Sequence, residues 1–456
     1  MSKMLRKQRK WLTVTLGFTS LLLFYWLFFS NGLPVYWGPS ASAKDIAAGR
    51  ELFEHEWTPN DPLAHGDGLG PVFNAKSCAA CHFQGGLGGG GEISHNATAF
   101  EILPRPGKPE MECGTIHNYS IDPKDKESFT VLRKLFPVNR AITTTRSVEM
   151  ANCPPTIQRT TADFDPLRTI STQSSAIFGS GWIDLISEKA IVQNFRRRSF
   201  QGLTQELAMN FDGVPLGRLR TLPDGRIGRF GWKAQFATLE DFTATACANE
   251  IGLGTPMKPQ ACSVATKAKP EVPADLDKKQ FQQLVAFVST IPRPVETMPT
   301  DAKTATSAKH GEELFAKVGC TTCHVPDLGG VKGMYTDFLL YSLDEPLPPG
   351  GGGSPYGPAP LPEFPRPEGE PPPSDWRTPP LWGVADSAPY FHDGTADTLH
   401  AAILRHNGDA KSVKKAFADL PPADQQAIVV FLETLKAPPT ATALKDMAVT
   451  KLPKKK

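Results

Sequence analysis

The sequence predicts a mainly all-α protein of two tandem units, the first enlarged by a long insertion containing short β-strands. Three observations carry this. The chain repeats itself once, since Gly49-Arg50-Glu51-Leu52-Phe53 is echoed by Gly311-Glu312-Glu313-Leu314-Phe315, each copy ahead of a Cys-x-x-Cys-His pentapeptide. Farther on, Gln282-Gln283-Leu284-Val285-Ala286-Phe287-Val288 is echoed by Gln426-Ala427-Ile428-Val429-Val430-Phe431-Leu432, and each copy is soon followed by proline. Finally, Ile46, Leu52 and Phe53, and again Leu314, Phe315 and Val318, recur at helical spacing. Each unit therefore opens and closes with a helix. Residues 44–296 form the first unit and 303–438 the second, with a leader and linker at 1–43 and a basic tail at 439–456.

Local signals fill in the frame. Pro421-Pro422-Ala423-Asp424 marks the start of the last helix, with proline tolerated in the first turn. Within the insertion, Pro223-Asp224-Gly225 is a turn signal joining two short strands. The stretch from Glu345 to Ser374, with Gly350 to Gly353 at its centre, is too poor in apolar residues to form a core and reads as a surface loop.

The pentapeptides Cys78-Ala79-Ala80-Cys81-His82 and Cys320-Thr321-Thr322-Cys323-His324 carry the chemistry. Two cysteines at this spacing form thioether bonds to a c-type haem, and the adjacent histidine falls under the iron as axial ligand. A redox dithiol needs a βαβ frame and a zinc knuckle needs a second ligand pair, and neither is apparent. Two covalently bound haem c groups are therefore expected, and a helix, a haem pentapeptide and a closing helix make up the small unit of a class I cytochrome c.

Compartment follows from the N-terminus. Lys3, Arg6, Lys7, Arg9 and Lys10 run into an apolar stretch from Trp11 to Phe29, an export signal long enough to span a bilayer. The expectation is a periplasmic body anchored to the inner membrane by residues 11–29, with secretion after cleavage near Ala41-Ser42-Ala43 as the alternative. The net charge of +2 and the scattered basic residues exclude nucleic-acid binding. Beyond the haem cysteines, Cys113, Cys153, Cys247 and Cys262 suggest two disulfides, and proximity favours Cys113 with Cys153 and Cys247 with Cys262.

Gly66-Asp67-Gly68-Leu69-Gly70-Pro71-Val72-Phe73-Asn74-Ala75, Arg229-Phe230-Gly231-Trp232-Lys233-Ala234-Gln235 and Arg377-Thr378-Pro379-Pro380-Leu381-Trp382-Gly383 resemble the di-haem oxidoreductase family of peroxidases. That family is similar to bacterial di-haem cytochrome c peroxidases and to the di-haem enzyme that matures methylamine dehydrogenase. In the peroxidases, a segment similar to Ala388-Pro389-Tyr390-Phe391-His392-Asp393-Gly394 and Thr398-Leu399 delivers a methionine as second axial ligand of the C-terminal haem; counting from Thr398-Leu399, that position is His406. The resemblance thus implies bis-histidine ligation by His324 and His406, a closed iron that passes electrons. One departure stands out: where the family has Leu-Leu-His-Asp-Met-Gly, this chain has Leu339-Leu340-Tyr341-Ser342-Leu343-Asp344.

For the first haem, the resemblance implies a distal histidine in the loop after the pentapeptide, and His95 sits there behind the run Gly85 to Gly91; His117, His55 and His65 are lesser candidates. Glu92, Gln84 and His95 are the acid/base candidates, Arg377 suits a haem propionate, and Trp382 suits a place between the haems. His392-Asp393-Gly394 shapes a tight turn. The leading expectation is a peroxidase-type oxidoreductase, with electrons passing from the C-terminal to the N-terminal haem to reduce hydrogen peroxide, a small redox protein (cytochrome or cupredoxin) as donor and, by analogy with the related peroxidases, a homodimer. An electron-transfer cytochrome with both irons closed, and a same-fold oxidase of an organic or protein substrate, remain open.

Overall fold

The computed structural model describes residues 38–103, 112–123, 128–138, 142–147, 156–161, 165–207, 215–264, 272–344, 353–354, 357–358 and 371–439. In chain order these form α1 (Ala43–Glu54), β1 (Val72–Phe73), β2 (Ala97–Ile102), β3 (Glu112–Ile116), β4 (Tyr119–Ser120), α2 (Ser128–Leu135), β5 (Ile142–Ser147), β6 (Thr156–Thr161) and β7 (Leu167–Thr172). There follow α3 (Ser180–Asp184), α4 (Glu188–Leu207), α5 (Leu239–Ala246), α6 (Lys278–Thr290), α7 (Ala302–Lys317) and β8 (Leu340–Ser342). The chain closes through β9 (Gly353–Ser354), β10 (Gly357–Pro358), β11 (Asp375–Arg377), α8 (Leu399–Arg405), α9 (Lys411–Ala418) and α10 (Pro422–Leu432).

Four of these helices occupy the echoed segments, and their ends are fixed by local chemistry. The side chain of Ser42 accepts from the Asp45 amide at the start of α1, and Asp301 accepts from Thr304 at the start of α7. Asp277 and Gln280 form a reciprocal capping box on α6, and Pro422 opens α10 at a position where a missing N–H costs nothing.

α1 packs on α6 and α7 on α10, and the two crossings share their details. A Cβ built on Gly49 would stand 1.9 Å from the Gln283 carbonyl oxygen; one on Gly311 would stand 1.9 Å from that of Ala427. Each glycine is thus the point where one helix backbone lies against the other. Four residues on, Phe53 meets Phe287 with ring centroids 5.3 Å apart, and Phe315 meets Phe431 at 5.4 Å. Around these rings lie two separate cores, one containing Trp57, Phe281 and Leu284, the other containing Leu314, Phe417 and Ile428.

The insertion adds the antiparallel sheet β3-β2-β7, in which Phe100, Ile102, Ile116 and Leu167 build a third small core with Leu132 and Phe136. β5 pairs with β6 separately. The expected hairpin at Pro223-Asp224-Gly225 is reduced to a tight turn: Gly225 has φ +85°, and one isolated bridge, Thr221 with Ile227, flanks it in place of two strands. The strands of the insertion come instead from its Thr-rich segments, where β-branched residues suit a pleated surface.

The expected Cys247–Cys262 disulfide is corrected, because both thiols are free. Their segments run side by side, the Ala261 amide bonding the Ala248 carbonyl, but Cys247 belongs to the first core beside Cys78 and Cys262 does not. Cys153, the partner proposed for Cys113, lies outside the described residues, as do the apolar run 11–29, most of the loop 345–374 and the basic tail. Among the described residues no helix is long and apolar enough to cross a membrane.

Gly311→Ala should test the helix crossing. Alanine is favoured over glycine within a helix by about 1 kcal/mol, yet the methyl would collide with backbone, so a net loss of about 1–3 kcal/mol is expected. Urea denaturation followed by circular dichroism measures it, and a gain in stability would show that the close approach is not needed.

Candidate haem sites

The helix crossings place both pentapeptide histidines. Phe53 lies 6.4 Å from His82 and Phe315 lies 6.2 Å from His324, ring centre to ring centre. In each case Nδ1 is tied to a backbone carbonyl, His82 to Gly89 at 3.0 Å and His324 to Tyr335 at 2.9 Å. That bond fixes the proton on Nδ1 and leaves Nε2 as the ligating lone pair. Burial pushes the pKa of His82 down and that of His324 to about 4, so both rings are neutral, the form that binds a metal.

His406 lies beside the second pentapeptide histidine. It follows the last residue of α8, and its Nδ1 bonds the Ala402 carbonyl at 2.8 Å. Its ring centre is 6.4 Å from that of His324, with the ring planes at 65°. Each Nδ1 is already engaged, so His324 and His406 would be the residues to hold an iron, through their Nε2 atoms. Both histidines, with Cys320 and Cys323, line a cavity of about 280 Å³ whose walls include Phe315, Leu381, Ile403 and Leu432. The residues fit a haem between His324 and His406.

The loop before α8 holds His406 in place. Phe391, at φ +78°, sets its ring 5.5 Å from His406, and Asp393 takes two hydrogen bonds from Arg405, at 2.6 and 2.8 Å. Asp393 and Thr395 form the tight turn expected at His392-Asp393-Gly394, with Gly394 at φ +71°. His392 itself stacks on Trp376 at 3.5 Å, and burial drops its pKa to about 3.

The first site is arranged differently. The ring of His95 packs edge-on against Phe83 at 5.6 Å, and its Nδ1 meets the Ser94 hydroxyl; among the described residues it makes no ring contact with His82 of the kind His406 makes with His324. Glu92 is exposed at the start of the same short turn. Gln84 donates to the Ala388 carbonyl, while its Oε1 is buried with no partner among the described residues. His117 is buried on the Asn249 carbonyl, His55 pairs with Asp61, and His65 lies at the surface by Asp277.

Arg377 and Trp382 line the cavity as well. Arg377 is buried with hydrogen bonds to the Gly231 and Thr378 carbonyls, and burial lowers its pKa to about 10 even with Asp337 near. A buried cation on that wall suits a carboxylate such as a haem propionate. Trp382 belongs in sequence to the second unit but packs in the first core, where a Cβ on Gly179 would come 2.3 Å from its ring. It stands at the seam between the two sites.

Burial pushes the thiols of Cys78, Cys81, Cys320 and Cys323 up to about 12. Among the described residues, no three His, Cys, Asp or Glu side chains gather to hold a metal ion.

Sequence reasoning missed several groups. Glu250 is buried near Cys81 and hydrogen-bonded by Asn74 at 2.8 Å, and burial raises its pKa. Arg198, Asp337 and Tyr341 cluster beside Cys323. Nothing in a single sequence brings residue 198 next to residue 337; the departure at Tyr341 was the one available signal.

Residues 365–435 match the model of the family described as "Di-haem oxidoreductase, putative peroxidase", so the resemblance to that family holds over this stretch. No curated protein matches the chain. Among solved structures, the chain is similar to hydrazine synthase of Kuenenia stuttgartiensis, at 12% identity and TM-score 0.38, covering 89% of this chain and 95% of that one. It is also similar to a MauG-like protein associated with microbial copper homeostasis, at 15% identity and TM-score 0.36, covering 89% and 94%. The Y463M variant of the diheme peroxidase BthA from Burkholderia thailandensis follows, at 14% identity and TM-score 0.31, covering 89% of each chain.

Gly179→Ala is expected to dislodge Trp382, since glycine there has φ +67° and its missing Cβ is what admits the ring. The near-UV circular dichroism of the tryptophans should weaken and stability should fall by about 1–3 kcal/mol; unchanged spectra would remove Trp382 from the seam.

Proposed function

We propose that this chain is a di-haem c-type cytochrome of peroxidase type, made of two cytochrome c-like units, that passes electrons from the C-terminal haem to the N-terminal haem and reduces hydrogen peroxide to water. The observation that carries the reading is the asymmetry between the two histidine sites. His324 faces His406 at 6.4 Å across the cavity, while the ring of His95 turns to Phe83. A pair of protein ligands suits a centre that only relays electrons; a histidine without such a partner leaves a position for a small substrate.

When bound, the haems would supply electron exchange and the site of O–O cleavage, for a reaction that takes two electrons and two protons per peroxide. The polypeptide does the rest. Cys78, Cys81, Cys320 and Cys323 attach the groups, and His82, His324 and His406 present Nε2 with Nδ1 held. Arg377 neutralises a carboxylate in the cavity. Trp382 fills the seam with an aromatic ring that keeps water out and shortens the gap between the sites. Near the first site, His95, with Glu92 beside it, is the group able to accept and return a proton; burial lowers its pKa and Glu92 opposes this. The reading carries with it a periplasmic location, an anchor at residues 11–29, a small redox protein as donor and a homodimer.

A carrier with both centres closed is the competing reading, and spectroscopy on the purified full chain separates the two. Two haems by pyridine haemochrome and by intact mass are expected. Electron paramagnetic resonance should show one low-spin centre that His406→Ala converts to high-spin, and a second centre that is high-spin as isolated or becomes so on partial reduction. Turnover of peroxide with a reduced cytochrome should accompany that state. Two centres that stay low-spin in every redox state, with no turnover, would leave an electron carrier.

A further inference from the structure

The motif departure at Tyr341 leads to a cluster that the reading above does not use. Tyr341, Arg198 and Asp337 are all buried. The Tyr341 hydroxyl donates to Asp337 Oδ2 at 2.8 Å and accepts from Arg198 Nη1, which also lies 3.2 Å from Asp337 Oδ2. Asp337 Oδ1 takes the Leu339 amide at 3.0 Å. Arg198 comes from α4 of the insertion, whereas Asp337 and Tyr341 come from the second unit. The phenol ring is seated on Gly217 at φ +64°, where a Cβ would stand 2.7 Å from Tyr341 Cζ. Tyr341 and Arg198 stand beside the Cys323 sulfur, and Arg198 acts electrostatically on His324.

We propose that the buried Arg198–Asp337 pair, bridged by Tyr341, holds two opposed charges in balance beside the haem attached at Cys320 and Cys323, so that losing either one alone shifts its reduction potential. The inference rests on the haem reading above. A charge fixed next to a redox centre acts on the difference between its oxidised and reduced forms, and buried charges are screened little by water or salt. The Arg198 guanidinium favours the reduced form, which carries one positive charge fewer. The Asp337 carboxylate favours the oxidised form. Held 3.2 Å apart, the two nearly cancel at the centre, so the potential depends on both being present. Arg377, the other cation facing Asp337, lies on the cavity wall with its own carbonyl partners and does not replace Arg198 in the pair.

Spectroelectrochemical titration of the purified full chain tests this. Asp337→Asn, which preserves shape, should raise the midpoint potential of the low-spin haem; Arg198→Met should lower it; the double variant should return towards the wild-type value. The potential of the other haem should change much less. A role in packing alone would not give shifts of opposite sign. If Arg198→Met fails to assemble, Asp337→Asn decides: an unchanged or lowered potential overturns the proposal, as do two single variants that shift the same way. A chain that pyridine haemochrome shows to be free of haem would sink the proposed function, and this inference with it. A chain carrying two haems whose potentials ignore the pair sinks the inference alone.

Discussion

Both sites depend on a helix backbone lying against another with no side chain between. Gly49 on Gln283 and Gly311 on Ala427 bring the opening and closing helices into direct contact, and the phenylalanine one turn later in each opening helix is thereby wedged between the closing helix and a pentapeptide histidine. The position of each imidazole is inherited from that crossing. Its orientation is tied to a carbonyl in the loop that follows, Gly89 in one unit and Tyr335 in the other. Two devices, close packing and a polar tether, therefore fix where each ring lies and which way it points.

The units diverge where loops rather than helices are responsible. In the second, α8 ends so that His406 comes opposite His324, and the Asp393–Arg405 pair with Phe391 braces that end from the side. In the first, the glycine-rich turn after the pentapeptide closes on itself and delivers His95 to a phenylalanine. Similar frames thus hold unlike surroundings, and what a site can do is set by those surroundings and not by the frame.

Much of the frame was readable in the sequence, because the signals that build it are local: the repeated Gly and Phe, the pentapeptides, and helix starts such as Pro421-Pro422. The family resemblance also pointed to His406, through its distance from Thr398-Leu399, and the fold brings that ring within 6.4 Å of His324. The rest was hidden for physical reasons. The Pro223-Asp224-Gly225 turn carries the chemistry of a hairpin, but strands form only where a partner edge exists, and here none extends beyond Thr221 and Ile227. Sequence proximity suggested pairing Cys247 with Cys262, yet which way a side chain faces on a helix is settled by the core it joins. Arg198 and Asp337 are linked only by the folded chain, so their contact has no sequence signature.

That contact has a bearing on how the protein can be taken apart. A carboxylate sealed in the second unit depends for its counter-charge on a helix encoded some 140 residues earlier, Arg198 against Asp337 being 3.2 Å apart. Expressed alone, the C-terminal half would lose both the Arg198 contact to Asp337 and the helix that covers it. The two halves look like beads on a string in the sequence, but they are not interchangeable modules: the insertion in one completes the interior of the other, and any fusion, truncation or transplant has to keep them together.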